Sequence, residues 1–304
     1  MAVVAAAAPP RARGKRGILR RSLRPLAYLW CPTGLLILFF LVPMVIMLKI
    51  SFHHESLYDF RTGWTFDNYR EIITDPIYRR VALDTFWIAS AAMIIQLAIG
   101  LPLAYVMAFR AGRFELPLLL ALVLADELNP IVRIYAWRQL LGREGLINDA
   151  LQWLHITNAP VDWLLFSKFA VIVVLSTSWL TYTVIPIYAA MKAIDGRLFE
   201  SAVDLGAGWF TTFRRVLLPL AAPGIFVALI LVYIPLFSEF ATPALVGGRS
   251  GYMLGSLANS LILEQGDWGA GAALNFLLLA AIVEMVRSCI RFGSYVSRVF
   301  SLDR

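Results

Sequence analysis

Charge is scarce in this sequence: Asp, Glu, Lys and Arg make up 15% of its 304 residues, against about 25% in an ordinary soluble domain. Cysteine is scarcer, with only Cys31 and Cys289, which excludes a disulfide-built secreted scaffold. Histidine occurs only as His53, His54 and His155, without the spacing of a metal site. No G-x-x-x-x-G-K-[ST] run is present, so this chain has no loop to cradle nucleotide phosphates. Apolar residues fill the space instead, at 60% of the chain and a mean hydropathy of +0.72. That is the reverse of a disordered composition. It implies an all-α, polytopic membrane protein whose solvent is the lipid bilayer.

The net charge of +7 would suggest nucleic acid in a soluble protein. Here the basic residues flank apolar runs, so they read as the cytoplasmic excess of a membrane protein, with no nucleic-acid partner. A bilayer core of about 30 Å needs about 20 apolar residues per helix. Six segments qualify: 26–50, 84–109, 117–141, 168–191, 217–240 and 272–294. With the N-terminus inside, seventeen Lys and Arg fall on the cytoplasmic side and six outside. Both termini are therefore expected in the cytoplasm. Residues 1–25, rich in Ala, Pro and Arg, read as a disordered basic tail before an uncleaved first helix. Residues 26–304 form the membrane domain. Cys31 and Cys289 lie toward the cytoplasmic leaflet as packing residues.

The connection 192–216 is long for a cytoplasmic loop, and long connections tend to be functional. Asp195-Gly196 offers a helix start. Leu198, Phe199, Ala202, Val203 and Leu205 then recur at helical spacing, and Gly206 is free to end the turn. A second amphipathic piece, Trp209 to Leu217, leads to Pro219 and Pro223, which open the next span. The pattern predicts a helix–turn–helix at the cytoplasmic surface. A hairpin that merely rests on lipid headgroups fits the same pattern.

Several polar residues are out of place. Asp126 and Glu127 lie nine to ten residues into the third predicted span, about 14 Å deep. Pro130 kinks the helix behind them, and Arg133 follows Asp126 by about two turns. Two readings stand. The carboxylates line a wet path for a cationic cargo, or they pair with Arg133, Arg138 or a partner subunit. Tyr135, Trp137, Trp179 and Tyr182 add aromatic faces that suit an ammonium or equally well pack the core. Glu239 and Phe240 sit near the outer end of the fifth span, between Pro235 and Pro243. Glu284 and Arg287 form an interfacial pair. Outside, Glu55, Asp59, Asp67, Glu71 and Asp75 mix with Arg61, Arg70, Arg79, Arg80, Trp64, Phe66 and Tyr69, as an ordered cap or a solvated loop.

At this point the residues match a known pattern. Glu200-Ser201-Ala202, three residues, Gly206, nine residues, Val216, one residue and Leu218-Pro219 resembles the EAA loop of binding-protein-dependent ABC importer permeases. Val132 to Trp137, with Leu140-Leu141-Gly142 and Gly145 to Asn148, resembles the third-span signature of the spermidine/putrescine type. Ser238-Glu239-Phe240, Pro243 and Leu245 to Gly248 are similar to a GEF…P…LGG stretch of the same group. Ser201, Val216 and Ser238 depart mildly from those patterns, and Asp126 to Asn129 depart more.

The resemblance implies a type I importer permease of the bacterial inner membrane with six spans. It implies a second homologous permease subunit, a dimer of ATP-binding-cassette ATPases and an extracytoplasmic binding protein as partners. It implies no cofactor on this chain, with ATP and Mg on the partner ATPase. Leu198, Phe199, Glu200, Ser201, Ala202, Asp204, Gly206 and Pro219, within the loop 192–219, would couple to the ATPase. Asp126, Glu127, Arg133, Tyr135, Trp137, Trp179, Tyr182, Glu239 and Phe240 are the path candidates. An ion-coupled carrier using intramembrane carboxylates is the alternative. A membrane enzyme lacks any catalytic cluster.

Overall fold

A computed structural model of the chain describes residues 30, 32–53 and 63–301. The expected tail 1–25, Cys31, His54, Glu55, Asp59 and Arg61 lie outside the described residues. All regular structure among the described residues is helical. The chain divides into two compact units at Ile50/Ser51.

The first unit holds helix α1 (Pro32–Ser51), which runs one residue into the second. Its turn Ile37–Leu41 is wound as a π-helix, with the Val42 N–H reaching the Ile37 carbonyl. Pro43 has no N–H to give and its ring crowds the carbonyl four residues back, and the wider turn relieves that conflict.

The second unit contains α2 (Asp67–Thr74), α3 (Pro76–Phe109), α4 (Glu115–Asp126), α5 (Pro130–Leu141) and α6 (Leu146–Trp153). It continues with α7 (Lys168–Ser178), α8 (Leu180–Lys192), α9 (Arg197–Asp204), α10 (Trp209–Ser238), α11 (Leu254–Leu263) and α12 (Trp268–Ser301). Helix α3 starts eight residues before the expected 84, because Asp75 accepts the Ile77 N–H at 2.7 Å and Pro76 occupies the first turn, where its missing donor costs nothing.

Among the described residues, four helices, α1, α3, α10 and α12, are long and apolar enough to cross a membrane, and the α7–α8 pair, bent by 45°, makes a fifth. The third expected span, 117–141, is divided into α4 and α5. At 12 residues each, either reaches about 18 Å, short of a bilayer core. The apolar α11, buried through Gly255, Ser256, Ala258, Ser260 and Leu261, was not expected. Its ten residues, about 15 Å of helix, are too few to cross a bilayer core.

Helix α8 packs between α3 and α10. Gly224 on α10 lies so close to α8 that a Cβ there would meet the Pro186 carbonyl oxygen and the Ala190 Cβ at 2.5 Å. Because the obstacle is backbone, Gly224→Val is expected to cost about 3 kcal/mol, the upper range for overpacking. A thermal-unfolding scan of the purified protein in detergent checks this. An unchanged midpoint would show that the two helices separate freely.

Between α1 and α2 the described residues form an aromatic cluster. The Phe52 ring lies 5.6 Å from Trp64, 5.2 Å from Phe66 and 5.2 Å from Tyr69. The Asn68 amide donates to the Ser51 and His53 carbonyls at 3.0 Å each. Ile72 of α2 packs with Leu261 and Leu274 of α11 and α12.

Candidate functional site

Helix α4 ends at Asp126 because Pro130 follows shortly after. Proline disfavours the helical region for the residue before it, and Asn129 is extended at ψ 125°. The Asn129 side chain then accepts the Ile131 N–H at 2.9 Å, capping α5 as an Asn N-cap does. The last carbonyls of α4 are left without helical partners.

Arg133, one turn into α5, returns to fill that gap. Its Nη1 donates to the Asp126 carboxylate at 3.3 Å and to the Ser178 carbonyl at 2.7 Å. Its Nη2 faces the Asp126 carbonyl at 3.0 Å, Leu128 at 3.4 Å and Ala125 at 3.5 Å. Ser178 is the last residue of α7. One guanidinium therefore bridges both helix breaks, and the Asp126–Arg133 side chains are only 16% and 15% exposed. The interruption at Pro130 is a full break rather than the expected kink.

Uncharged polar residues complete the node. The fully buried Gln96 donates to the Leu175 carbonyl at 2.8 Å and accepts from the Thr183 hydroxyl at 2.7 Å. Leu175 is in the last turn of α7, where carbonyls lack a helical donor. Thr181 donates to the Leu122 carbonyl of α4 at 3.0 Å. Gln96, Ser178, Thr181 and Thr183 were not among the sequence candidates. The signal was available: an amide in the middle of a long apolar helix must have partners at bilayer depth. Lys168 and Asp84, an ion pair at 2.5 Å joining α7 to α3, were also missed.

The remaining path candidates are dispersed. The exposed Glu127 carboxylate makes no hydrogen bond or ion pair among the described residues. Trp179 fills the α7–α8 break, with its ring 5.5 Å from that of the exposed Tyr182. Trp137 packs into the cluster around Ile88 and Leu175. Tyr135 is half exposed, with the Arg138 guanidinium 5.9 Å from its ring centre. Glu239 caps the turn after α10, accepting the Thr242 N–H at 3.2 Å and hydroxyl at 3.4 Å, and Phe240 beside it is half exposed. A Cβ on Gly255 would lie 2.6 Å from the Ser238 and Glu239 carbonyl oxygens, so only glycine lets α11 start there. Glu284 and Arg287 pair at 2.9 Å, both exposed.

In the connection 192–216, Asp195 accepts the Arg197 N–H at 3.0 Å and α9 begins. It ends where Leu205 N–H reaches the Ser201 carbonyl at 3.1 Å and Ala207 N–H the Ala202 carbonyl at 3.0 Å. Gly206 between them takes φ +79°, the left-handed closure of a helix C-terminus. No atom lies within 4 Å of a Cβ built on Gly206, so the need for glycine is torsional. Leu198, Leu205, Trp209 and Phe210 are exposed at 46%, 88%, 63% and 66%. Ser201 and Asp204 are exposed and Ala202 is half-buried. The side chains of Phe199, Glu200 and Val203 lie outside the described residues.

The second amphipathic piece is not separate, as expected, but is the first part of α10, which starts at Trp209 rather than 217. A π turn at Phe213–Leu217 sits immediately before the Leu218-Pro219 pair, with Leu218 N–H on the Phe213 carbonyl. It lets the helix pass Pro219 unbroken. Trp209 stacks on Phe213 at 5.5 Å.

Glu115, at the first residue of α4 and ahead of its apolar run, accepts from the Lys192 ammonium at 2.7 Å and from the Tyr188 hydroxyl. These contacts, the Lys192 hydrogen bond first, hold its carboxyl below the ordinary carboxylate range. A depressed folded value means that the contribution is complete above the ordinary Glu value and disappears as pH falls through the lower, folded one. The thermal midpoint is therefore expected to fall on acidification below about pH 4, and Glu115→Gln to lower the midpoint near pH 7 and to flatten that acid limb. An identical acid limb in the variant would exclude this contact as its source.

A family model described as binding-protein-dependent transport system inner membrane component matches residues 1–288. The spermidine/putrescine transport system permease protein PotB of Haemophilus influenzae is 32% identical over 271 residues, 88% of this chain and 93% of that protein. Its counterpart from Escherichia coli is 32% identical over 81% of this chain and 89% of its own. Among solved structures, a chain of a bacterial ABC transporter involved in the import of the acidic polysaccharide alginate superposes with a TM-score of 0.75. That match covers 92% of this chain and 98% of the other at 17% identity, so it speaks for the fold alone.

Proposed function

Since the chain belongs to the family of binding-protein-dependent transport system inner membrane components, we propose that it is one of two membrane-spanning subunits of an ATP-driven importer of polyamines or related small amines. It crosses the bacterial inner membrane six times, with both termini cytoplasmic. The third crossing is the α4–α5 pair: 24 residues of helix in all, about 36 Å, interrupted at residues 127–129, where the Arg133 guanidinium supplies donors to the carbonyls that the break leaves without helical partners. The ion-coupled alternative gains nothing from membership of a family defined by its dependence on a binding protein.

The hairpin 195–208 docks on a separate ATPase. Its capped start, left-handed stop and exposed Leu198 and Leu205 make a rigid apolar knob, suited to a groove. Closure of the ATPase dimer tilts α10, which continues directly from the hairpin into the membrane, and the spans rock between outward and inward access. ATP and Mg belong to that partner.

The single observation that carries the cargo is the 32% identity to spermidine/putrescine permeases over most of both chains. The fold does not choose cargo charge, since a chain with the same fold belongs to an alginate importer. The electrostatics of the node favour a cation. The negative ends of α4 and α7 and the Asp126 carboxylate converge there. The deciding experiment reconstitutes the complete importer in proteoliposomes with its binding protein. ATP-dependent spermidine uptake competed by putrescine and not by a disaccharide is expected. A binding protein that selects a sugar or an anion would overturn the cargo reading and leave the importer standing.

A further inference from the structure

We propose that the ring of carbonyl oxygens at the two helix breaks is a binding site for the ammonium group of the cargo, filled between transport events by the guanidinium of Arg133 as a tethered substitute. This rests on the reading of the cargo as an amine.

The site is built for one cation. Main-chain oxygens of Ala125, Asp126, Leu128 and Ser178 and the Asp126 carboxylate all lie within 3.5 Å of the same guanidinium. The Ala125, Asp126 and Ser178 oxygens come from the C-terminal ends of two different helices, α4 and α7, whose dipoles place negative potential at a common point, and the Leu128 oxygen comes from the linker 127–129. Without Arg133 the ring carries the single negative charge of Asp126, the complement of one ammonium. An ammonium has three N–H donors and no acceptor, so it satisfies the strongest of these oxygens as well as a guanidinium does.

The present occupant is held loosely. Only the contacts to Ser178 at 2.7 Å and to the Asp126 carbonyl at 3.0 Å are of ordinary length. The other three, at 3.3–3.5 Å, lie at or beyond the long edge of N–H···O distances. Arg133 also stands on a third helix, α5, joined to α4 by the non-helical residues 127–129. Withdrawal of its side chain needs no helix to unwind. Exchange of one cation for another leaves the charge of the ring unchanged, so cargo enters without exposing Asp126 unpaired.

Arg133→Ala in the assembled importer, with its second permease subunit, ATPase and binding protein, tests this. Spermidine uptake and binding-protein-stimulated ATP hydrolysis are both expected to fall at least about tenfold. Guanidinium or methylguanidinium at about 10 mM, the range of a weak single-site ligand, should restore at least threefold of the loss. Tetramethylammonium, which has no N–H, should restore nothing. Arg133→Lys, which keeps an ammonium in the ring, should stay within about fivefold of the natural protein.

If Arg133→Ala does not assemble, the pair Asp126→Asn with Arg133→Ala removes both charges and takes its place. If neither assembles, Arg133→Lys decides: a loss beyond tenfold means the ring accepts only the planar fork, and the proposal fails. Assembled Arg133→Ala or paired variants without guanidinium rescue also overturn it. Rescue read on ATP hydrolysis is independent of which solute is imported, so an absence of spermidine uptake by the natural importer, with guanidinium rescue of ATP hydrolysis in the variant, would count against the cargo and not against the ring.

Discussion

Asp126→Leu is expected to destabilise the protein by about 3 kcal/mol, whereas Glu127→Gln one residue on changes stability by less than about 0.5 kcal/mol. The two carboxylates are neighbours in sequence and opposite in environment. Asp126 is 16% exposed and paired with Arg133 at 3.3 Å, while Glu127 is exposed and makes no such contact among the described residues. Removing one partner of a largely buried ion pair strands the other, at a cost of about 3–5 kcal/mol. The lower figure applies because Arg133 keeps carbonyl acceptors on both helix breaks. The midpoint of thermal unfolding should drop by roughly 5–10 °C for Asp126→Leu. Equal midpoints for the two variants would mean that the node does not hold the broken helices together.

Gly206→Glu is expected to abolish ATP-coupled uptake while the protein still inserts and accumulates in the membrane. The residue takes φ +79°, a region that costs an ordinary L-residue about 1–2 kcal/mol. At 1.4 kcal/mol per tenfold, strain alone lowers the closed-to-open ratio of the hairpin about five- to thirtyfold. A charged side chain then projects from the proposed ATPase-docking knob. The space around Gly206 is open, so folding of the membrane part is untouched. Gly206→Asn separates strain from charge, because Asn tolerates the left-handed region. It should retain more uptake than Gly206→Ala. Uptake assays paired with membrane levels and ATPase co-purification read the outcome. Normal uptake by Gly206→Glu would remove the hairpin from the coupling route.

Much of the hairpin was legible in the sequence because its determinants are local. Asp195 caps within two residues, the apolar positions of 198–205 share one helical face, and Gly206 closes the turn within the same segment. The start of α10 at Trp209 was not legible. Pro219 and Pro223 read as the opening of a span, and only the π turn at 213–217 shows how the helix passes Pro219. The third span shows the same limit. Asp126, Pro130 and Arg133 were recognised as unusual at that depth. Nothing local, however, joins Arg133 to Ser178, 45 residues away.

The sequence by itself determined the membrane class of the protein and the local closure of the hairpin at 195–208, and it carried the expected sidedness of the charges. Apolar content, positive-inside bias and helix caps act through composition or within one turn of helix, so they survive without a third dimension. Tertiary structure decided which out-of-place polar residues are tied down. Asp126 is neutralised by Arg133, Gln96 is spent on Leu175 and Thr183, and Glu239 on Thr242, while Glu127 is left open. The reason is physical: at bilayer depth a polar group is stable only with a partner, and most of those partners belong to helices distant in sequence. Scarcity of charge announced a membrane protein; the pairing of the few charges present shows where its broken helices meet.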